Sequence, residues 1–194
     1  LASRRPVTLG VVGAGRQAEA LVEATAATIT IEEIRVWSRT EKSAEAFVAR
    51  YADYNAIRAP IERACDCDVL NTTTPSRKPL VMADWVREGT HINAIGADAP
   101  GKQELDPLLL SKAEVFVDDP GQAVHSGEIN VPISTGLYDA GMIAGTLGEV
   151  VTGKKGRSSP GAVTVFDSTG LAIQDLAIAA LIIERDDGYD LPFP

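Results

Sequence analysis

The chain has 194 residues, 45% of them apolar, with 18 Lys plus Arg against 27 Asp plus Glu and a formal net charge of −9. A domain of this length buries roughly 70% of the surface its unfolded chain exposes, so a stable core needs neither a metal nor a disulfide. The acidic excess is spread along the chain, which argues against a sequence-independent grip on nucleic acid or on an anionic membrane surface, and no apolar run reaches the ~18 to 20 residues of a membrane span.

The opening Leu1-Ala2-Ser3-Arg4-Arg5-Pro6 carries no export signal, so the expected compartment is the cytoplasm. The first predicted strand, residues 7–12, runs into Gly13-Ala14-Gly15-Arg16-Gln17-Ala18 and then into a predicted Ala-rich helix over 17–28. Gly-x-Gly-x-x-Ala between a strand and a helix is a dinucleotide-binding turn. Gly13 permits the tight turn, Gly15 lets a pyrophosphate approach the backbone, and Ala18 lets the helix pack closely. The anion would sit on the helix N-terminus, where unpaired amides and the macrodipole favour negative charge. The alternative is a purely structural strand-turn-helix.

The second strand, predicted over 34–37, ends in Ser38-Arg39-Thr40. An Asp or Glu at this strand end would bind the 2′-hydroxyl of NAD. Here a hydroxyl and a planar guanidinium stand instead, a donor set suited to a 2′-phosphate, so NADP(H) is favoured and NAD(H) remains possible. Arg39 as a solvated loop cation is the competing reading.

A helix over 41–51 is predicted to bury Ala44, Phe47 and Val48. Cys65 and Cys67, with only His91 and His125 elsewhere, have the wrong number and spacing for a structural zinc site, and are expected to be reduced thiols near a strand start. The strand over 69–72 ends in Thr72-Thr73-Thr74-Pro75-Ser76, three adjacent threonines that line a ribose and phosphates or serve as β-formers and turn residues. The strand over 91–95 leads to Asp98, a candidate general acid or base, or a turn former in its Gly/Pro setting. Lys102 is a candidate anion contact or a helix-start cation, and His91 a packed, satisfied histidine.

A strand is predicted over 115–117. His125 and Glu128 follow it in what reads as a solvated loop, with a catalytic pair as the alternative. The Gly/Ser/Lys-rich stretch 153–161 is a second solvated loop, before a strand over 163–166 and a long apolar helix over 171–184. The tail 186–194 has little to pack. Alternating strands and helices specify an α/β class with a doubly wound, mostly parallel sheet, the Rossmann architecture, and no metal site.

Several segments in combination resemble the family of ornithine cyclodeaminase, mu-crystallin and the archaeal-type alanine dehydrogenases. They are Gly13–Ala18 of the turn, Thr72–Ser76, His91 through Leu105, Gly127-Glu128-Ile129, and Phe166 through Asp175. The stretch around Asp98 and the last segment look most like the alanine dehydrogenase branch. The resemblance implies an NAD(P)-dependent oxidoreductase that interconverts an amino acid and its imino or oxo acid. Alternatives within the family are an ammonia-lyase that recycles NAD and a non-catalytic NADPH-binding protein. Asp98 matches the family's acid/base aspartate, Ser168 a position near the nicotinamide, and Thr72, Thr73, Thr74 and Ile95 match cofactor contacts. Ser38-Arg39-Thr40 is similar to the Asn-Arg-Thr of NADPH-using mu-crystallins and departs from the Asp-bearing strand end of NAD-dependent alanine dehydrogenase. The family's preceding substrate domain, which supplies Lys and Arg and builds the dimer interface, has no counterpart ahead of Val7. Arg4 and Arg5 fall at the wrong end of the first strand to replace it. The expectation is a cofactor half of a two-domain enzyme that binds cofactor but turns over little alone, and a homodimer at full length.

Overall fold

The computed structural model describes residues 1–2 and 5–185. Its first half runs β1 (Val7–Val12), α1 (Arg16–Ala26), β2 (Ile31–Trp37), α2 (Glu41–Arg50), β3 (Ile57–Arg58), α3 (Ile61–Cys65), β4 (Val69–Thr72), β5 (Arg77–Val81) and β6 (His91–Ala94). The second half runs β7 (Gln103–Leu105), α4 (Pro107–Lys112), β8 (Glu114–Val117), α5 (Pro120–Ser126), α6 (Asn130–Ser134), β9 (Gly145–Thr146), α7 (Leu147–Val151), β10 (Thr164–Asp167) and α8 (Ala172–Arg185). Eight strands form one sheet in the order β3-β2-β1-β4-β6-β10-β8-β9, with every pairing parallel. β5 and β7 pair separately. From β1 the chain builds outward through β2 and β3, then returns to lay β4 on the other flank of β1. Open parallel sheets bind ligands at such a reversal, on the strands' C-terminal edge.

Burial on both faces explains the continuous apolar runs of the central strands. On one face Leu9, Val11, Ile34 and Val36 pack with Ala18, Val22 and Phe47 of α1 and α2. On the other, Val12, Leu70, Ile92, Val115 and Val165 pack with Cys65, Cys67, Leu109, Leu110 and Ile129. Full burial of a Val, Leu or Ile side chain is worth about 1.5–3 kcal/mol, so these two layers dominate the fold's stability. Both cysteines are free thiols, as expected, and burial pushes the Cys65 thiol up to about 12 and raises Cys67 as well.

The departures from expectation are local. β2 begins at Ile31, because the outward Glu32 and Glu33 break the apolar run without breaking the strand. The short helices α3 to α7, of 5 to 7 residues, are too brief to show a helical period. Val48 of α2 is half-buried, whereas Ala44 and Phe47 are buried as predicted. The loop 153–161 is solvated apart from Arg157, whose guanidinium donates to the carbonyls of Gly89 and Ala162 at 2.8 Å each. α8 forms where expected, yet Ala172 through Glu184 are exposed. No helix among the described residues is long and apolar enough to cross a membrane. The tail 186–194 and Arg4 lie outside the described residues. Arg5 sits at the N-terminal edge, 2.6 Å from Asp68, opposite the candidate site as expected.

Candidate functional site

Strand pairing places the glycine turn between two other strand ends. The Gly13 amide donates to the Trp37 carbonyl at 2.9 Å, and the Thr73 amide donates to the Val12 carbonyl at 2.9 Å. Gly13 has φ +104°, and a Cβ there would lie 2.8 Å from the Thr73 hydroxyl, so only glycine fits. Gly15 caps α1 with extended backbone and no side-chain acceptor for the helix's first amides. A Cβ at Gly15 would meet nothing within 4 Å, so this backbone faces open space. Buried Ala18 brings α1 close onto the sheet.

A cleft of about 370 Å³ opens over the turn. Gly13, Ala14 and Gly15 form its floor, Ser38, Arg39, Thr40 and Ser43 one wall, and Thr73, Thr74 and Pro75 the other. Among the described residues no carboxylate lines it. Arg39 is exposed at its rim, and the Thr40 and Ser43 hydroxyls lie 2.6 Å apart. Amides, hydroxyls and a guanidinium around a bare glycine backbone suit a pyrophosphate. Gln17 is exposed in the first turn of α1 and lies outside the lining.

Thr72 corrects one expectation. Alternation along β4 turns it to the Leu70 face, where it is fully buried and donates to Glu104 Oε2 at 2.7 Å rather than lining the cleft. Glu104, also fully buried, accepts from the Thr74 amide at 2.6 Å, the Thr74 hydroxyl at 2.7 Å and the Gly96 amide at 2.9 Å. Behind it, Glu128 Oε1 accepts from the Glu104 amide at 2.7 Å and the Leu105 amide at 2.5 Å. Asp167 in turn accepts from the Glu128 amide at 2.8 Å. Asp118 accepts from the Thr169 and Gly170 amides at 2.7 and 2.9 Å. Burial raises Glu104 from its ordinary value against the pull of its four donors, and raises Asp167 to about 7. Burial and then the neighbouring Glu104 charge push Glu128 well above its ordinary value. Of these acids the sequence singles out only Glu128, beside His125. Glu104 and Asp118 stand among polar neighbours, in Lys102-Gln103-Glu104-Leu105-Asp106 and Asp118-Asp119, so nothing local marks them as buried.

Asp98 lies in the loop after β6, with its side chain 58% exposed and paired to the Lys102 ammonium. Lys102 is therefore no helix-start cation. It precedes β7, and its charge is turned onto Asp98. The loop is fixed at its far end by Asn130, which accepts from the Gly101 amide at 2.9 Å and donates to the Lys102 carbonyl at 3.0 Å. Ser168 follows β10, half-buried, and donates to Asp118 at 3.3 Å. Ile95 faces a different groove, of about 650 Å³, on the α1 side of the sheet with Asn93 and Phe166. Asp98, Ser168 and Ile95 thus share the C-terminal edge with the glycine cleft but do not line it. The stretch holding His125 and Glu128 is not a solvated loop. His125 is exposed on α5, while Glu128 is wholly buried. His91 is the satisfied histidine expected, 2.8 Å from the Thr164 hydroxyl and 3.1 Å from Asn93 Oδ1, and burial lowers it to about 3.

A fully parallel sheet that reverses across its first strand, with a glycine turn into a helix N-terminus at the reversal, is a doubly wound domain of the Rossmann class. The chain belongs to the ornithine cyclodeaminase/mu-crystallin family, whose model matches residues 1–189. It is 50% identical over 189 residues to an alanine dehydrogenase of Archaeoglobus fulgidus, a match covering 95% of this chain and 58% of that protein. A solved archaeal alanine dehydrogenase dimer with bound NAD aligns with a TM-score of 0.94 and 47% identity, over 100% of this chain and 63% of that one. A Thermococcus litoralis delta(1)-pyrroline-2-carboxylate reductase, in complex with NADH and L-proline, aligns with a TM-score of 0.91 and 32% identity, over 98% and 62%. The chain therefore spans about three fifths of the length of such relatives.

Proposed function

We propose that this chain is the cofactor-binding part of an NAD(P)-dependent oxidoreductase that interconverts an amino acid with its imino or oxo acid. The observation that carries the reading is the cleft over Gly13 and Gly15, where α1's uncapped amides face open space between two walls of hydroxyls. The kinship with an alanine dehydrogenase and a pyrroline-carboxylate reductase points to the substrate class.

A bound nicotinamide supplies or accepts a hydride at the substrate α-carbon. The Gly13–Gly15 backbone and the α1 N-terminus hold the pyrophosphate, and Thr73 and Thr74 bound the opposite wall. Asp98 moves a proton at the substrate nitrogen or at the water that adds to the imine, with ammonia leaving to give the oxo acid. Lys102 holds that carboxylate in place. The exposed apolar side chains of α8, such as Ile173 and Leu176, support a two-domain homodimer in which the rest of the protein closes the substrate side, and the free buried thiols support a cytoplasmic setting.

The wall of Ser38, Arg39, Thr40 and Ser43, without a carboxylate, favours NADP(H) over NAD(H). Titration of the full-length protein with each reduced cofactor is expected to give tighter NADPH binding, and Arg39→Ala is expected to weaken NADPH about tenfold with little change for NADH. Tighter NADH in the wild type sinks the preference. Incubation with amino acids and oxidised cofactor is expected to build reduced-cofactor absorbance, and Asp98→Asn to abolish it. Ammonia release without net reduction would identify a lyase instead.

A further inference from the structure

We infer that Glu104 is a positioning residue that makes the cofactor wall and the Asp98 loop one mechanical unit, a role that rests on the function proposed above. One buried carboxylate accepts from both loops. Thr72 ends β4 with its hydroxyl in the core, Thr74 follows it in the cofactor wall, and Gly96 lies in the loop that carries Asp98. The two backbones are in contact at this point. A Cβ on Gly96 would lie 2.2 Å from the Thr74 carbonyl and 2.5 Å from Glu104 Oε2, so nothing but the carboxylate fits between them. Glu104 does not line the cleft, so it acts through Thr74 and Gly96.

The far end of the Asp98 loop is held separately. Asn130 grips Gly101 and Lys102, and Lys102 pairs with Asp98, but Asn130 touches nothing on the cofactor wall among its hydrogen bonds. Two anchors of one loop therefore differ in what else they hold. Loosening Glu104 disturbs cofactor and proton transfer together, whereas loosening Asn130 disturbs proton transfer alone.

The test uses the full-length protein and NADPH or NADH as the probe. In Glu104→Gln the new amide nitrogen cannot accept, so the Thr74 or Gly96 amide loses its partner. The reduced cofactor's Kd is expected to rise about tenfold and kcat to fall about a hundredfold, with Glu104→Asp recovering much of both. Asn130→Ala is expected to lower kcat at an unchanged cofactor Kd. Where Glu104→Gln does not fold, Thr72→Val replaces it, since Thr72 bonds Glu104 without lining the cleft, and it is expected to raise Kd with a smaller loss of kcat. Amide exchange without cofactor is expected to rise at Thr74 and Gly96 together in Glu104→Gln. A folded Glu104→Gln protein with wild-type cofactor Kd, or exchange that rises at only one of the two amides, overturns the inference. A wild type that binds cofactor but turns over no amino or imino acid defeats the functional reading alone, since Kd and exchange still decide the coupling.

Discussion

On its β1 side the cleft is bare backbone, held by Gly13, Gly15 and the start of α1, and a side chain added at Gly15 would meet open space. On its β4 and β6 side the backbone is held by carboxylates that never reach the cleft, with Glu104 resting on Glu128 and Glu128 on Asp167. The first half concentrates its chemistry where a ligand would be, and its core packing lies elsewhere. The second half spends buried charge on shape. Changes at the glycine turn are therefore expected to alter binding while leaving folding intact, and changes in the carboxylate network to alter folding as well.

The largest effect tests the second half. Glu128→Ala leaves the buried Glu104 and Leu105 amides without an acceptor, at about 1–3 kcal/mol each, and opens a cavity besides. A loss of about 3–5 kcal/mol is expected in urea unfolding, partly offset by removal of an acid that burial already disfavours. Glu128→Gln keeps the accepting oxygen and is expected to cost no more than about 1 kcal/mol. Equal losses in the two variants would break the comparison, because they would locate the cost in charge and not in the acceptor.

The next effect is a pH dependence. Burial raises Asp167 from 3.8 to about 7, so the folded protein holds its proton over a range where the unfolded chain has lost it. Its contribution is fully present below about pH 4 and is lost as pH rises to about 7, a change on the order of 2–4 kcal/mol. His91 works in the opposite direction. Its pKa falls from 6.5 to about 3, so its contribution is present above about pH 6.5 and is lost as pH falls toward about 3. The difference between wild type and Asp167→Asn, measured by urea unfolding from about pH 5 to 8, isolates the aspartate and is expected to shrink with rising pH. A flat difference would remove Asp167 from the buried network.

The same contrast explains what was legible in the sequence. The Gly13–Ala18 turn is local, since its geometry is set by neighbours in the chain, and β1 and β4 carry the predicted bounds because each is a short, buried, β-rich run closed by turn residues. The carboxylate network is nonlocal. Glu104 meets Thr74 at a separation of 30 residues, Glu128 meets Glu104 at 24 and Asp167 meets Glu128 at 39. No spacing rule encodes such partners. Thr72 was misplaced for a simpler reason, because three adjacent threonines at a strand end look alike until strand alternation sends Thr72 to the core and leaves Thr73 at the cleft.

Two smaller effects sharpen the first half. Gly15→Ala is expected to change stability by less than about 1 kcal/mol, since the backbone is extended and the added methyl meets no atom, while filling the approach a pyrophosphate needs. Reduced-cofactor binding, followed by fluorescence, is expected to weaken at least about tenfold. A variant that binds as the wild type does would move the cofactor off the glycine turn.

The smallest expected effect lies just outside the cleft. Arg58 on edge strand β3 pairs with Glu41 at 3.1 Å and Glu45 at 3.6 Å, with its own side chain 48% exposed. Exposed pairs of this kind are worth about 0.2–1 kcal/mol and are screened by salt, so Arg58→Ala is expected to cost no more than about 0.5 kcal/mol at physiological ionic strength. Its use is electrostatic. Glu41 follows the Ser38-Arg39-Thr40 wall directly, and removing its cation leaves an unbalanced carboxylate near the proposed 2′-phosphate position. The NADPH to NADH affinity ratio is expected to fall by about twofold at low salt and not at all at high salt, against about tenfold for Arg39→Ala. A larger shift for Arg58→Ala than for Arg39→Ala would mean that the β2 end discriminates by repulsion from Glu41 and not by the guanidinium at the rim.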